Sequence, residues 1–447
     1  MKLIYDVKDK PKFGQLIVFA FQQLLAIMAA TLVVPVIVNG SGVQNLNMDP
    51  AAALLGAGAG TLVYILFTKA KSPVFLGSSF AFLSAMFSAT AFGYFGIIVG
   101  AILAGLVYVV IAIIIKLVGA RWVSKLMPSV VIGPTVALIG LSLAGNAVSD
   151  LTKSSATGES YNLIAIVCGL ITLGVTILCS TYGKKMAKLI PFIIGILCGY
   201  AAALIFTLIG NAAGVDYLRI LDYSALVNNF KDISLASFFS VPDFAFVHAV
   251  KEAGSFDWSA LGNLALLYMP VAFVVFAEHI ADHKNLSSII GKDLVEGEPG
   301  LSRTLLGDGV GSMVGAFFGS CPNTTYGESV GCVAITRNAS IYTIVTAAVG
   351  AIILAFFSPF VAFVNTIPSC VMGGVCVALY GFIAVSGLRM FKNIDLDENR
   401  NLFVVSVILI TGIGGLALNF GKITITSIAT ALILGILTNV MLSKKKA

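Results

Sequence analysis

The sequence predicts an all-α polytopic membrane protein of 14 transmembrane segments, built as a 7+7 inverted repeat with two short antiparallel strands in segments 3 and 10. Three observations predict it. The 447 residues are 58% hydrophobic and 11% charged, with a mean hydropathy of +1.00, whereas a soluble domain carries roughly a quarter charged residues. Apolar runs long enough to cross a bilayer as helices, roughly 18 to 25 residues, recur from end to end. The basic residues also fall unevenly on alternate loops. Such a composition excludes a cytosolic enzyme, a nucleic-acid binder and a disulfide-stapled secreted scaffold.

In chain order, the first seven runs lie at 14–38, 49–68, 78–91, 94–117, 122–146, 160–181 and 186–210. Seven more follow at 260–285, 301–319, 327–337, 339–364, 369–390, 401–418 and 423–443. With the N-terminus inside and every run crossing, 22 of the 27 basic residues, from Lys2 to Lys446, face the cytoplasm. Only Lys153, Arg219, Lys231, Lys251 and Lys422 stay outside. That split follows the positive-inside rule and predicts a multi-pass protein of the inner (plasma) membrane with both termini cytoplasmic.

The net charge of +6 is spread over loops, so no nucleic-acid partner is expected. Residues 1–16 lack an apolar stretch followed by a small-residue cleavage site, so no removable signal peptide is expected. The 7 cysteines, Cys168, Cys179, Cys198, Cys321, Cys332, Cys370 and Cys376, lie in or beside apolar runs and read as packing residues.

The polar stretch 212–259 separates the two sevens and falls outside. Met127–Gly140 resembles Ile367–Gly381: Pro128 matches Pro368, Ser129 matches Ser369, Gly133 matches Gly373, and Gly140 meets Gly381 after a one-residue slip. Both stretches open the fifth run of their half. An odd number of spans per repeat inverts the second copy, and inverted repeats build secondary transporters with the site between them at the midplane.

The third run of each half is interrupted. Pro73–Phe82 and Cys321–Gly331 each place an extended, proline-led stretch before a glycine and a short helix. Proline pushes its predecessor away from helix, and bare backbone at membrane depth is tolerated where protein or a cavity satisfies it. Each half is therefore expected to contribute a short strand and a half-helix with free N–H groups; a pair of ordinary kinked helices is the plainer alternative.

Glu278 ends the apolar run Val271–Ala277, with Asp282 one turn later on the same face. Acids at that depth are costly and usually functional, although Glu278 also fits a cap at the cytoplasmic interface. His279 and His283 form an i,i+4 pair too sparse to predict a metal. Asp308 is either a supporting partner of the site or a first-turn acid. Half-helix N–H groups favour carbonyl oxygens or anions, whereas ionised Glu278 and Glu328 accept hydrogen bonds only and call for N–H donors. A small planar ring bearing both C=O and N–H, the pattern of uracil or xanthine, meets both demands.

At these residues the chain resembles the nucleobase–ascorbate transporter family along essentially its whole length. The resemblance is carried by Gly77–Phe82, Ala277–His279, Pro322–Glu328 and the signature-like stretch Glu328–Arg337. It implies a core domain (14–120 and 260–366), a gate domain (121–211 and 367–447) and a loop (212–259) between the halves. It further implies that Glu278 and Glu328 bind the base through its ring N–H groups, that the backbone N–H groups of Phe80 and Gly327 meet its carbonyls, and that Tyr326 lines the site.

Proton coupling would fall to Glu278 and Asp282, with Gln23, Ser79, His279 and Asp308 behind them. Glu328 is similar to the uracil branch; purine-transporting relatives tend to carry Gln there. Three residues depart from the pattern: Ser329 replaces an Asn, and Asp282 and Gln23 replace His residues of the uracil branch. The expected activity is secondary-active import of uracil by proton symport through a homodimer joined at its gate domains, with no enzymatic activity, cofactor or metal. A xanthine or purine permease on the same scaffold and an anion exchanger or channel are the alternatives.

Overall fold

A computed structural model describes residues 3–39, 46–184, 186–420 and 423–443. Of the basic residues used above for orientation, Lys2, Lys185, Lys422 and Lys444 to Lys446 lie outside the described residues.

The chain opens with α1 (Phe13–Asn39) and α2 (Pro50–Phe67), the latter capped by the Asp49 carboxylate, which accepts from Ala51 N–H at 2.8 Å. The predicted interrupted segment follows as β1 (Leu76–Ser78), a 3-10 turn at Phe80–Phe82 and α3 (Leu83–Ala89). Then come α4 (Gly93–Val118), α5 (Arg121–Leu126), α6 (Ser129–Ser142), α7 (Ala144–Thr152), α8 (Leu163–Tyr182), α9 (Met186–Leu189) and α10 (Pro191–Ala213). Two short helices, α11 (Ser224–Lys231) and α12 (Ala245–Glu252), occupy the central polar stretch.

The second half runs α13 (Leu261–Ile290), α14 (Leu301–Phe318), β2 (Asn323–Thr325), α15 (Gly327–Thr336), α16 (Ile341–Ala355), α17 (Ser358–Asn365) and α18 (Ser369–Arg389). It closes with α19 (Asn399–Ile413), a hairpin of β3 (Leu418–Phe420) and β4 (Ile423–Ile425), and α20 (Ser427–Met441).

Among the described residues, eight helical stretches are long and apolar enough to cross a membrane, and α16, α19 and α20 are shorter apolar helices. This is a mostly helical, membrane-type protein. α14 is absent from both groups for a physical reason. It carries Arg303, Asp308 and a glycine-rich face, and it packs between α2 and α4 with most of its residues buried. A Cβ at Gly60 would sit 2.6 Å from the Gly311 carbonyl oxygen, and one at Gly311 would sit 2.7 Å from that of Gly60. The two helices touch backbone to backbone, as small residues permit within membranes.

Several predicted runs prove to be broken. The 122–146 run splits at Pro128 into α5 and α6, because proline ends one helix and caps the next. The 339–364 run bends between Ala355 and Ser358, and the 401–418 run stops at Ile413 before Gly415, whose φ is +74°. The matched prolines Pro128 and Pro368 occupy equivalent positions, capping α6 and α18, and those two helices pack together.

The helices pack in two groups. α1, α2, α4, α13, α14 and α16 contact mainly one another; so do α6, α7, α8, α10, α18, α19 and α20. They meet where α13 touches α6 and α20 and where α1 touches α10.

Candidate functional site

The site starts from two three-residue strands. β1 and β2 pair antiparallel in the register Leu76 with Thr325, Gly77 with Thr324 and Ser78 with Asn323. The ladder is extended by Tyr326 N–H to Phe75 O at 3.1 Å and Ser79 N–H to Pro322 O at 3.0 Å. Phe80 and Gly327 are the first residues of the turns that follow, so their N–H groups have no acceptor within their own helices. The Tyr326 hydroxyl donates to the Ser78 carbonyl at 2.8 Å. Its ring lies directly over Gly77, where no side chain could fit.

A cavity of about 430 Å³ opens between the two helix groups. From one group it is lined by Ser79, Phe80, Glu278, Asp282, Tyr326, Gly327 and Glu328; from the other by Val136, Phe192, Phe382, Lys188 and Arg389, among others. Glu278, Asp282 and Glu328 are half-buried on this wall, with no ion-pair partner among the described residues. Thr325 Oγ1 donates to Asp282 Oδ2 at 2.8 Å, which holds α13 against β2. The interfacial-cap reading of Glu278 does not describe this position: the residue sits mid-helix, twelve residues before the end of α13 at Ile290, and lines the cavity.

Gln23, His279 and Asp308 lie behind the cavity wall. Ser329 Oγ accepts from Phe75 N–H at 2.9 Å and also from Gln23 Nε2, all fully buried. Gln23 and Ser329, two of the departures from the family pattern, thus contact each other. His279 Nδ1 lies 2.7 Å from Asp308 Oδ2. His279 Nε2 lies 3.1 Å from the Thr304 hydroxyl, which also contacts Leu301 O at 3.1 Å. His283 Nδ1 donates to the His279 carbonyl at 2.8 Å, and its Nε2 meets the Tyr64 hydroxyl at 2.7 Å. Both imidazoles are therefore committed to structural hydrogen bonds. Among the described residues no group of three or more His, Cys, Asp or Glu could hold a metal ion.

Sequence reasoning missed Asn285, Thr324 and Tyr380. Asn285 continues the Glu278–Asp282 face at i+7 and lines the cavity, a signal helical periodicity carries. Thr324 lines the cavity with Gly327, and its hydroxyl has no hydrogen-bond partner among the described residues. Tyr380 stands edge-on to Phe80, ring centroids 5.3 Å apart at 78°, a contact between helix groups that no local pattern encodes.

A carboxylate-bearing cavity between two packed groups of apolar helices is the arrangement of a membrane transporter. A family model described as the Permease family matches residues 14–420, and the chain belongs to the nucleobase–ascorbate transporter family. It is 40% identical to the uracil permease of Bacillus caldolyticus over 445 residues, covering 99% of this chain and 95% of that protein. It is 37% identical to the uracil permease of Bacillus subtilis (strain 168), covering 100% and 96%, and 35% identical to that of Escherichia coli (strain K12), covering 96% and 92%.

Among solved structures, the transmembrane domain of the cyanobacterial bicarbonate transporter BicA superposes with a TM-score of 0.59 at 13% identity, covering 97% of this chain and 100% of that one. Murine Slc26a9, an anion transporter in its inward-facing state, gives 0.62 at 12% identity, covering 97% and 69%. At that identity the likeness is one of fold.

Proposed function

We propose that the protein imports uracil by proton symport, with the α1–α4 and α13–α17 group acting as core and the α5–α10 and α18–α20 group as gate. The observation that carries this reading is the meeting of Glu278 and Glu328 on one cavity wall with the opening N–H groups of Phe80 and Gly327. Two carboxylates accept ring N–H donors, and two backbone donors meet ring carbonyls. The uracil permeases among the relatives support the choice of base. Glu278 carries the proton: its carboxylate has no ion-pair partner among the described residues, so a proton or a ligand N–H is what satisfies it. Asp282, held by Thr325, is the second proton-coupling group, in place of the expected histidine.

The paired caps Pro128 and Pro368, and the β1 and β2 half-helices at matching ranks, support fourteen segments in an inverted seven-plus-seven repeat. Rocking of core against gate then exposes the cavity to either side. Both termini lie in the cytoplasm of an inner-membrane protein, and a homodimer forms through the gate, where α8 and α10 leave most of their surface uncovered, only 28% and 33% of their spans being buried. No cofactor takes part.

The test is labelled uracil uptake into proteoliposomes. Accumulation should require an inward proton gradient, and Glu278→Gln should bind or exchange uracil without gradient-driven accumulation. Accumulation without a gradient overturns the coupling. Preferential competition by unlabelled xanthine would assign a purine instead, and bicarbonate or sulfate flux without base binding would assign an anion carrier.

A further inference from the structure

The stretch 212–259 reads in sequence as an aqueous loop, yet its middle exposes Ile233 (77%), Leu235 (77%), Phe239 (62%) and Val241 (74%). Where these side chains sit in depth is set by what holds their backbone. Ser240 N–H donates to Phe356 O at 3.1 Å, Ser358 N–H donates to Phe238 O at 3.0 Å, and Phe239 bridges Phe357 antiparallel. Ser358 Oγ also donates to Asn229 Oδ1 at 2.6 Å, and Asn229 Nδ2 to Ser237 O at 2.9 Å. The segment is stitched to the corner between α16 and α17.

That corner cannot stand far from lipid. α16 has 15 residues, about 22 Å at 1.5 Å each, against a hydrocarbon layer of about 30 Å. Its start is on the polar side: Ser340 Oγ donates to Asp9 O at 2.6 Å, and Lys10 Nζ lies 5.8 Å from the Tyr342 ring. Its far end therefore reaches no further than the opposite edge of the hydrocarbon, and tilt only shortens the reach. Ile353 (66%) and Phe357 (42%) continue the exposed apolar face of α16 into the stitched segment. At the start of α13, Trp258 is 63% exposed beside Phe256 and Phe95, centroids 5.4 and 6.0 Å away; indole at that level suits the bilayer interface.

We propose that residues 233–241 and Trp258 form a collar that lies in the headgroup–acyl boundary of the bilayer, so that the partner of this surface is lipid. Continuity with the lipid-facing side of α16 favours lipid over a second copy of the chain. The polar residues just before it, Lys231 and Asp232, face the headgroups, as in other interfacial segments.

The chain has 2 tryptophans, so Trp122→Phe leaves Trp258 as the reporter with the collar unaltered. A second reporter is Leu235→Trp in a background of Trp122→Phe and Trp258→Phe. In vesicles of phosphatidylcholine brominated on its acyl chains, both reporters should lose most of their fluorescence, while aqueous iodide should leave them unchanged. Quenching by iodide but not by bromolipid would make the segment an aqueous loop and overturn the proposal. Quenching by neither would mean that protein covers it, which overturns the proposal equally.

Discussion

Gln23 and Ser329, on α1 and α15, share a buried hydrogen bond whose acceptor, Ser329 Oγ, also takes the N–H of Phe75 at 2.9 Å. One hydroxyl therefore joins α1, the approach to β1 and the half-helix that carries Glu328. Ser329→Ala should leave two buried donors unpaired and cost about 1–3 kcal/mol, read as a lower Tm together with weaker uracil binding. The two positions answer to each other as well. Gln23→His with Ser329→Asn, the residues the family resemblance implies, should be milder together than the two single changes added. Strict additivity in a double-mutant cycle would deny that the pair acts as a unit.

Ser79 and Thr324 line the cavity with fully buried hydroxyls that have no hydrogen-bond partner among the described residues. Removing an unpartnered hydroxyl by an isosteric change is close to neutral for the fold. Thr324→Val and Ser79→Ala should therefore leave the Tm of the ligand-free protein unchanged or higher. If the ring carbonyls of the base take these hydroxyls, uracil affinity should fall by roughly 5–10-fold, the worth of one ordinary hydrogen bond. Unchanged affinity in both variants would leave the base held by the carboxylates and backbone alone.

Local chemistry explains why much of this could be read from sequence. Proline and glycine around Phe75–Ser78 and Asn323–Thr325 forbid a continuous helix, so the strand pair is written at each segment separately. The positions of Glu278 and Asp282 on one face follow from helical spacing. What escaped depends on partners remote in the chain. The 301–319 run is legible as a segment, but nothing local reveals that α2 and α4 shield its Asp308 and its glycines. Thr325 on Asp282 and Tyr380 against Phe80 are joined by folding alone. The β3–β4 hairpin escaped because the apolar runs on either side, 401–418 and 423–443, reach into its strands at Leu418 and at Ile423–Ile425.

A strap at residues 3–9 crosses the ends of α15 and α16. Burial of backbone hydrogen bonds holds it: Ile4 N–H to Arg337 O at 2.8 Å, Ala339 N–H to Tyr5 O at 3.0 Å and Ile341 N–H to Val7 O at 3.0 Å. The Lys292–Asp6 ion pair at 2.7 Å lies over it, nearly half exposed. The hydrogen bond from Lys292 holds the Asp6 carboxyl below its ordinary pKa, so its contribution is present above about pH 4 and lost as pH falls below that. Being exposed, the pair should be worth no more than about 0.5 kcal/mol. Lys292→Ala should barely lower Tm at neutral pH, and the difference should vanish in acid, whereas deleting residues 3–9 should lower Tm clearly at either pH.

Gly77 faces the most demanding packing at the site. It pairs with Thr324 in the strand ladder while the Tyr326 ring lies against its Cα, where a methyl group would overlap the ring. The ring cannot retreat freely, because its hydroxyl is held by Ser78 O and its own N–H by Phe75 O. Gly77→Ala must therefore break the hydroxyl bond or part the strands, an overpacking cost of about 1–3 kcal/mol. Either route moves Gly327 and Glu328, the next residues in the chain, so uracil uptake should fall by more than the stability loss explains. Combining Gly77→Ala with Tyr326→Ala gives the methyl room and should recover Tm without recovering uptake, since the ring that lines the cavity is gone. If Gly77→Ala alone transports at the wild-type rate, Tyr326 does not set the position of the half-helix that bears Glu328.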